Sequence, residues 1–153
     1  MITEKATNWT VLEDSDSVEQ NSSRMTQKNA QLKVLVVDDE PLIRWAVTEM
    51  LGDLECQVVQ AGDARSAIAA IAESAPFEIV LLDVRLPDAD DLVLFDRVRS
   101  LAPAARIILM TAHGTRDLTE RAMDRGAFTV VSKPFELTEL AAQVTRAREA
   151  RLS

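Results

Sequence analysis

Four short apolar runs, each stopping at a polar residue of a different kind, constrain the fold of this chain more than any other feature. Leu32-Lys33-Val34-Leu35-Val36-Val37 ends in Asp38-Asp39, and Ile79-Val80-Leu81-Leu82 ends in Asp83. Ile107-Ile108-Leu109-Met110 ends in Thr111, and Val130-Val131-Ser132 ends in Lys133-Pro134. Apolar runs this short read as strands buried on both faces, as in a parallel sheet. In an open parallel sheet, ligands gather at the carboxyl ends of the strands. Three carboxylates, a hydroxyl and an ammonium can therefore converge on one sheet edge. Such a set can hold a divalent cation and accept a phosphoryl group.

Helical patterns fill the intervals. The first strand is Lys33–Val37, and Pro41 suits the first turn of a helix, where its missing N–H costs nothing. Leu42, Ile43, Trp45, Ala46, Met50 and Leu51 recur near helical spacing, with Gly52 as the expected stop. A second strand, Gln57–Gln60, precedes a helix from Ala64 whose buried stripe is Ala67, Ile68, Ile71 and Ala72, broken by Pro76. The third strand is Glu78–Leu82. Pro87 and Asp88-Ala89-Asp90-Asp91 form a loop, and Leu92, Phe95 and Val98 mark a third helix. Arg106–Met110 is the fourth strand. A fourth helix lies within Arg116–Arg125, closed by Gly126, and Thr129–Val131 is the fifth strand. The last helix starts near Glu136 and turns Leu137, Leu140, Ala141 and Val144 inward. This alternation predicts an α/β fold, a doubly wound five-stranded parallel sheet with five helices and right-handed crossovers.

With 153 residues the chain has room for one domain with a moderate core. Its net charge of −8 argues against a nucleic-acid or membrane-surface binder, because phosphates attract basic stripes. It leaves open a protein partner or a bound cation. The single cysteine, Cys56, excludes an internal disulfide, fits a reducing compartment and suits a buried apolar role just before a strand. No stretch approaches the ~20 apolar residues of a membrane-spanning helix, and the N-terminus lacks a secretory pattern. Residues 1–31 are polar and without period, so a disordered extension is expected there, ahead of a domain over 32–153. That extension is either a spacer or a docking segment anchored by Trp9-Thr10-Val11-Leu12.

Four pieces carry a resemblance. Val36-Val37-Asp38-Asp39-Glu40, Leu82-Asp83-Val84-Arg85-Leu86-Pro87-Asp88, Met110-Thr111-Ala112 and Ser132-Lys133-Pro134-Phe135 fall in order, each at a strand end. Together they resemble the receiver domain of bacterial response regulators, over about residues 32–150. Thr111-Ala112-His113-Gly114-Thr115 is most similar to receivers of the nitrogen-regulatory enhancer-binding family. The resemblance implies a flavodoxin-like strand order, 2-1-3-4-5, and Asp83 as phosphoacceptor. It implies Mg²⁺ held directly by Asp39 and Asp83, through water by Asp38, and by the backbone carbonyl of Arg85. Lys133 then pairs with Asp83 before transfer and with phosphoryl oxygens after it, Thr111 donates its hydroxyl, and the bond before Pro134 is cis.

The implied partners are a sensor histidine kinase or phosphotransfer protein, and a protein target on the face of the fourth helix, fifth strand and fifth helix. The chain would catalyse only its own phosphorylation and dephosphorylation, in the cytoplasm, with no direct nucleic-acid or membrane binding. No output module follows the last helix, so a stand-alone regulator or a fragment of a longer one is expected.

Blander readings stand beside these. Asp38 and Asp39 can be solvated acids in a turn, Asp83 a helix cap, Lys133 a surface lysine and Thr111 a strand-end hydroxyl satisfying backbone. Arg85 and His113 flank the expected water route and either slow hydrolysis of the acyl phosphate or point to solvent. Two positions depart from the pattern. Val130 replaces an aromatic switch residue, for which Phe128 could substitute only by packing on the same face, and Asp91 replaces a loop glycine. These departures motivate a second reading, a constitutive adaptor. A phosphohydrolase fits poorly, because Arg85 stands where such enzymes carry a second aspartate.

Overall fold

A computed structural model of the chain describes residues 31–89, 92–112 and 114–152. The expected extension as far as residue 30, with its Trp9–Leu12 anchor, and Asp91 and His113 lie outside the described residues. Strands and helices alternate along the chain: β1 Lys33–Val37, α1 Pro41–Asp53, β2 Gln57–Ala61, α2 Ala64–Ser74, β3 Ile79–Asp83, α3 Val93–Leu101, β4 Arg106–Thr111, α4 Arg116–Asp124, β5 Thr129–Ser132 and α5 Leu137–Leu152. The five strands form one parallel sheet in the order β2-β1-β3-β4-β5, as the resemblance implied.

The sheet is covered on both faces, and the period of two in each strand sorts its side chains between them. Leu35, Val37, Val80, Leu82, Ile107 and Leu109 pack with Ala67 and Ile71 of α2, Phe95 and Val98 of α3, and Leu118 and Ala122 of α4. Val34, Val36, Ile79, Leu81, Ile108 and Met110 pack with Val47 and Leu51 of α1 and Leu140, Val144 and Ala147 of α5. Every residue of β3 is buried, which explains why its sequence is a run of large apolar residues rather than an alternation. Truncating one of these side chains, such as Leu81, to alanine costs about 2–5 kcal/mol.

The register fixes where each strand stops. Val37 pairs with Leu82, Leu82 with Leu109, Asp83 with Met110, and Thr111 with Ser132. Asp83 and Thr111 are thus the last residues of their strands, one position further along than the sequence pattern suggested.

Four local expectations are corrected. Gly52 does not stop α1, which runs on to Asp53. The helix unwinds at Leu54–Glu55, where the Leu54 and Cys56 N–H groups both donate to the Leu51 carbonyl at 3.0 Å, and Glu55 takes the left-handed turn with φ 63°. The half-buried Leu54 extends the apolar face past the glycine. Ala72 is exposed, so the stripe of α2 is Ala67, Ile68 and Ile71. Leu137 is 39% exposed because α5 starts at the sheet edge, one turn before the helix reaches the core at Leu140. Leu42 and Trp45 lie on the solvent side of α1, Trp45 being 60% exposed. Gly126, by contrast, closes α4 as expected, with φ +102°. Cys56 is buried, as expected.

A glutamate in the left-handed region carries a steric cost of roughly 1–2 kcal/mol that glycine lacks. Glycine also raises the entropy of the unfolded chain, which offsets part of the gain. Glu55→Gly is therefore expected to stabilise the fold by about 0.5 kcal/mol, measured as a higher urea midpoint. A lowered midpoint would show that the Glu55 side chain makes a stabilising contact.

Candidate functional site

The ends of β1, β3, β4 and β5 lie at one edge of the sheet and assemble the site. Asp38 follows β1 directly. Its N–H donates to the Ala61 carbonyl at 3.1 Å, and its own carbonyl accepts from Arg44 Nη1 at 2.7 Å. With its backbone held from both sides, its side chain turns inward and is completely buried. Oδ1 accepts the Glu40 N–H at 2.9 Å, and Oδ2 accepts from Lys133 Nζ at 2.7 Å. Asp83, also buried, accepts the Arg85 N–H on Oδ1 and Lys133 Nζ on Oδ2, each at 3.1 Å. Asp39 is exposed, yet one carboxylate oxygen from each of Asp38, Asp39 and Asp83 lies within 4.8 Å of the others.

Lys133 enters from the far side of the sheet. Its N–H donates to the Thr111 carbonyl at 2.7 Å, and the Lys133–Pro134 bond is cis, as expected. Its ammonium has a third partner, Glu40 Oε1, at 3.1 Å. Thr111 is buried beside Ser132, and Gly114 packs against both. A Cβ on Gly114 would sit 3.1 Å from Thr111 Cγ2 and from Ser132 Oγ, so a larger residue there would require these side chains to shift by a few tenths of an ångström.

The electrostatics follow from burial. Burial pushes the Asp83 carboxyl above its ordinary range, and the charge of Asp38 adds to that. The Arg85 N–H and the Lys133 ammonium oppose the rise. For Lys133, burial disfavours the charge, but the hydrogen bond and charge of Asp38, with Asp83 and Glu40, outweigh it and hold the ammonium above its ordinary value. Lys133 is thus a fixed cation facing more carboxylates than it can neutralise.

The structure brings Asp38, Asp39, Asp83, Thr111 and Lys133 to one place, and this disfavours the solvated-surface readings of Asp38 and Lys133. Arg85 contributes its backbone N–H, while its side chain is exposed, the solvent-facing alternative. Phe128 does not stand in for the missing aromatic. It packs with the α1 and α5 layer, 5.9 Å from the Arg106 guanidinium and 5.4 Å from that of Arg146, whereas Val130 packs with the opposite layer. Glu40 and Arg44 were not singled out from the sequence. The position of Glu40 beside the acid pair was a signal for it; Arg44 reaches the Asp38 carbonyl by passing close over Gly62, where a Cβ would lie 3.1 Å from Arg44 Nη1.

Three convergent carboxylate oxygens, one from a residue open to solvent, fit a hard divalent cation that keeps part of its water. A neighbouring ammonium fits an anion placed against Asp83.

The family model of the response regulator receiver domain matches residues 34–145. The DNA-binding transcriptional regulator NtrC of Salmonella typhimurium is 36% identical over 116 residues, which are 74% of this chain and 24% of that protein. The chain thus spans about a quarter of the length of that relative. Sporulation initiation phosphotransferase F of Bacillus subtilis is 32% identical over 108 residues, 71% of this chain and 86% of that protein. Among solved structures, NtrX from Brucella abortus has a TM-score of 0.73 at 35% identity, covering 79% of this chain and 27% of that one. A CheY-like receiver domain protein from Methanospirillum hungatei shares the fold, with a TM-score of 0.75 at 23% identity over 80% of this chain and 97% of that one.

The raised Asp83 carboxyl has a consequence for stability. A folded carboxyl that holds its proton more tightly than the unfolded chain destabilises the fold as pH rises above the unfolded value of about 3.9, and the loss is complete above the folded value. Asp83→Asn removes that loss while leaving Lys133 its other two carboxylates. In chelator at pH 7 the variant is expected to be more stable than wild type, with the difference closing as pH falls toward the unfolded carboxylate range. A less stable variant at pH 7 would mean that the Lys133 ion pair outweighs burial and repulsion.

Proposed function

The chain belongs to the response regulator receiver family, and from that premise we propose that Asp83 accepts a phosphoryl group from a sensor histidine kinase or a phosphotransfer protein. The observation that carries this reading is the single ammonium of Lys133 shared between Asp38, at 2.7 Å, and Asp83, at 3.1 Å. An Asp83 oxygen attacks phosphorus. The new O–P bond forms as the bond from phosphorus to the donor nitrogen breaks, and the nitrogen keeps the electron pair. Such transfers need positioning and charge neutralisation more than covalent help. Lys133 is placed to follow the charge from Asp38 to a phosphoryl oxygen, and the Thr111 hydroxyl is a donor for another. Asp38, Asp39, Asp83 and the Arg85 carbonyl would hold Mg²⁺, which supplies the remaining positive charge. The chain's own chemistry ends with forming and hydrolysing this acyl phosphate.

The surface beside the site suits a protein donor. Leu42 and Trp45 are exposed on α1, and a cavity of about 230 Å³ opens next to Lys133, lined by Ile43, Ala46, Val47, Phe135 and Leu137. The net charge of −8 disfavours direct nucleic-acid binding by this chain. No helix among the described residues is long and apolar enough to cross a membrane. A cytoplasmic location belongs to the same reading. Output runs through the face of α4, β5 and α5, because Thr111 and Lys133 begin the segments that lead into α4 and α5.

Val130 and the engaged Phe128 favour one second reading, a constitutive adaptor in which phosphorylation does not shift that face. A ligand shifts a population only through differential interaction with the two states. Amide exchange over residues 111–140, with and without beryllofluoride and Mg²⁺, separates the two. Slower exchange in α4 and β5 with beryllofluoride is expected for a switch, and no change with the ligand bound identifies the adaptor.

The phosphoacceptor is tested by mass. Acetyl phosphate with Mg²⁺ is expected to add one phosphoryl group to wild type and none to Asp83→Asn. Label that persists in the variant, or that forms equally in chelator, contradicts the proposal.

A further inference from the structure

The loop that follows β3 is tied to α2, the helix of the crossover that leads into β3. Asp88 lies five residues past Asp83 and accepts two backbone hydrogen bonds from the first turn of α2, from the Ala64 N–H on Oδ1 at 2.8 Å and the Arg65 N–H on Oδ2 at 3.1 Å. The next N–H of that turn, Ser66, is capped by the helix's own N-cap residue, Asp63, at 2.7 Å. The open donors at the start of α2 are therefore shared between a local acid and one supplied by the loop.

The tether leads back to the site in short steps. Leu86 and Ala89 exchange backbone hydrogen bonds, N–H to carbonyl at 2.8 and 3.3 Å, and Leu86 is buried, so residues 86–89 form a closed turn rather than a loose span. Arg85, immediately before the turn, donates its N–H to Asp83 Oδ1. On the other side, Gly62, two residues before α2, lies against the Arg44 guanidinium that holds the Asp38 carbonyl. The start of α2 thus anchors the loop that follows Asp83, and the segment just before it runs beside the arginine that holds the Asp38 carbonyl.

We propose that Asp88 is a positioning residue for phosphoryl acceptance. By fixing the turn 86–89 to the start of α2, it holds the Arg85 backbone against Asp83 and keeps the acceptor carboxylate aimed. The proposal rests on Asp83 as acceptor for its kinetic consequence, and on the geometry alone for the tether. Small displacements of reacting groups change rates far more than they change stability.

Asp63→Ala supplies the control, because it also removes a cap from α2 but leaves the loop tied. Asp88→Ala, Asp88→Asn and Asp63→Ala are compared with wild type at a temperature where all are folded. Phosphorylation by acetyl phosphate and Mg²⁺ is expected to slow about tenfold in Asp88→Ala, less in Asp88→Asn, which keeps one acceptor oxygen, and not in Asp63→Ala. Equal rates for Asp88→Ala and Asp63→Ala would overturn the proposal. Amide exchange of the unphosphorylated proteins gives a readout that needs no transfer. The Arg85 amide is expected to exchange faster in Asp88→Ala alone, and unchanged protection there would also overturn the proposal. A wild type that takes no label would sink the acceptor reading, while the exchange result would still decide the tether.

Discussion

The ammonium of Lys133 is the interaction on which the rest of this site depends. Two buried carboxylates cannot lie side by side, both ionised, without a positive charge between them. Lys133 Nζ meets Asp38, Asp83 and Glu40 within 3.1 Å and is itself almost buried. Such a pair is a weak source of stability, because desolvation offsets most of the attraction. Its value is in what it leaves incomplete. One cation faces Asp38, Asp39, Asp83 and Glu40, so the site retains negative charge that a divalent cation can balance.

That ammonium reaches Asp38 across 95 positions of sequence, so the contact exists only when the whole sheet has formed. The strand order β2-β1-β3-β4-β5 puts β1 beside β3, and β4 and β5 on the far flank, with every carboxyl end at one edge. The strands position the site through the register, which ends β3 at Asp83 and β4 at Thr111. The backbone bond from Lys133 to the Thr111 carbonyl then ties the β5 end to the β4 end. In the proposed switch, movement of Lys133 toward an anion on Asp83 would pass through this bond to Thr111 and to the segments leading to α4 and α5. Val130 bears on that proposal. A valine packed in the α2–α4 layer fills space there, but it cannot swing as a large ring can.

The strands were legible because burial on both faces makes them continuous apolar runs, and the residues proposed for the site stood out because they punctuate those runs. Helix faces were harder. In α1, Leu42 and Trp45 share the helical spacing of Val47 and Leu51, and the pattern does not say which apolar side meets the sheet. Gly52 looked like a stop, yet the chain unwinds only where the half-buried Leu54 has completed the contact. Phe128 could be weighed as a replacement aromatic from sequence, but its partners, Arg106 and Arg146, come from elsewhere in the chain. Asp88 bonds backbone N–H groups of Ala64 and Arg65 well before it in the chain, and Arg44 bonds a carbonyl only one loop away, at Asp38; neither contact shows as a pattern in the sequence.

The central claim is that one lysine changes partners when an anion occupies Asp83. A crystal structure with Mg²⁺ and beryllofluoride tests it most directly. The account predicts beryllium bonded to an Asp83 oxygen, Mg²⁺ among Asp38, Asp39 and Asp83, and Lys133 Nζ moved from Asp38 onto a fluoride, with the Thr111 hydroxyl donating to another. Beryllofluoride bound at Asp83 with Lys133 still on Asp38, or Asp83 left unmodified with Mg²⁺ in place, would contradict it.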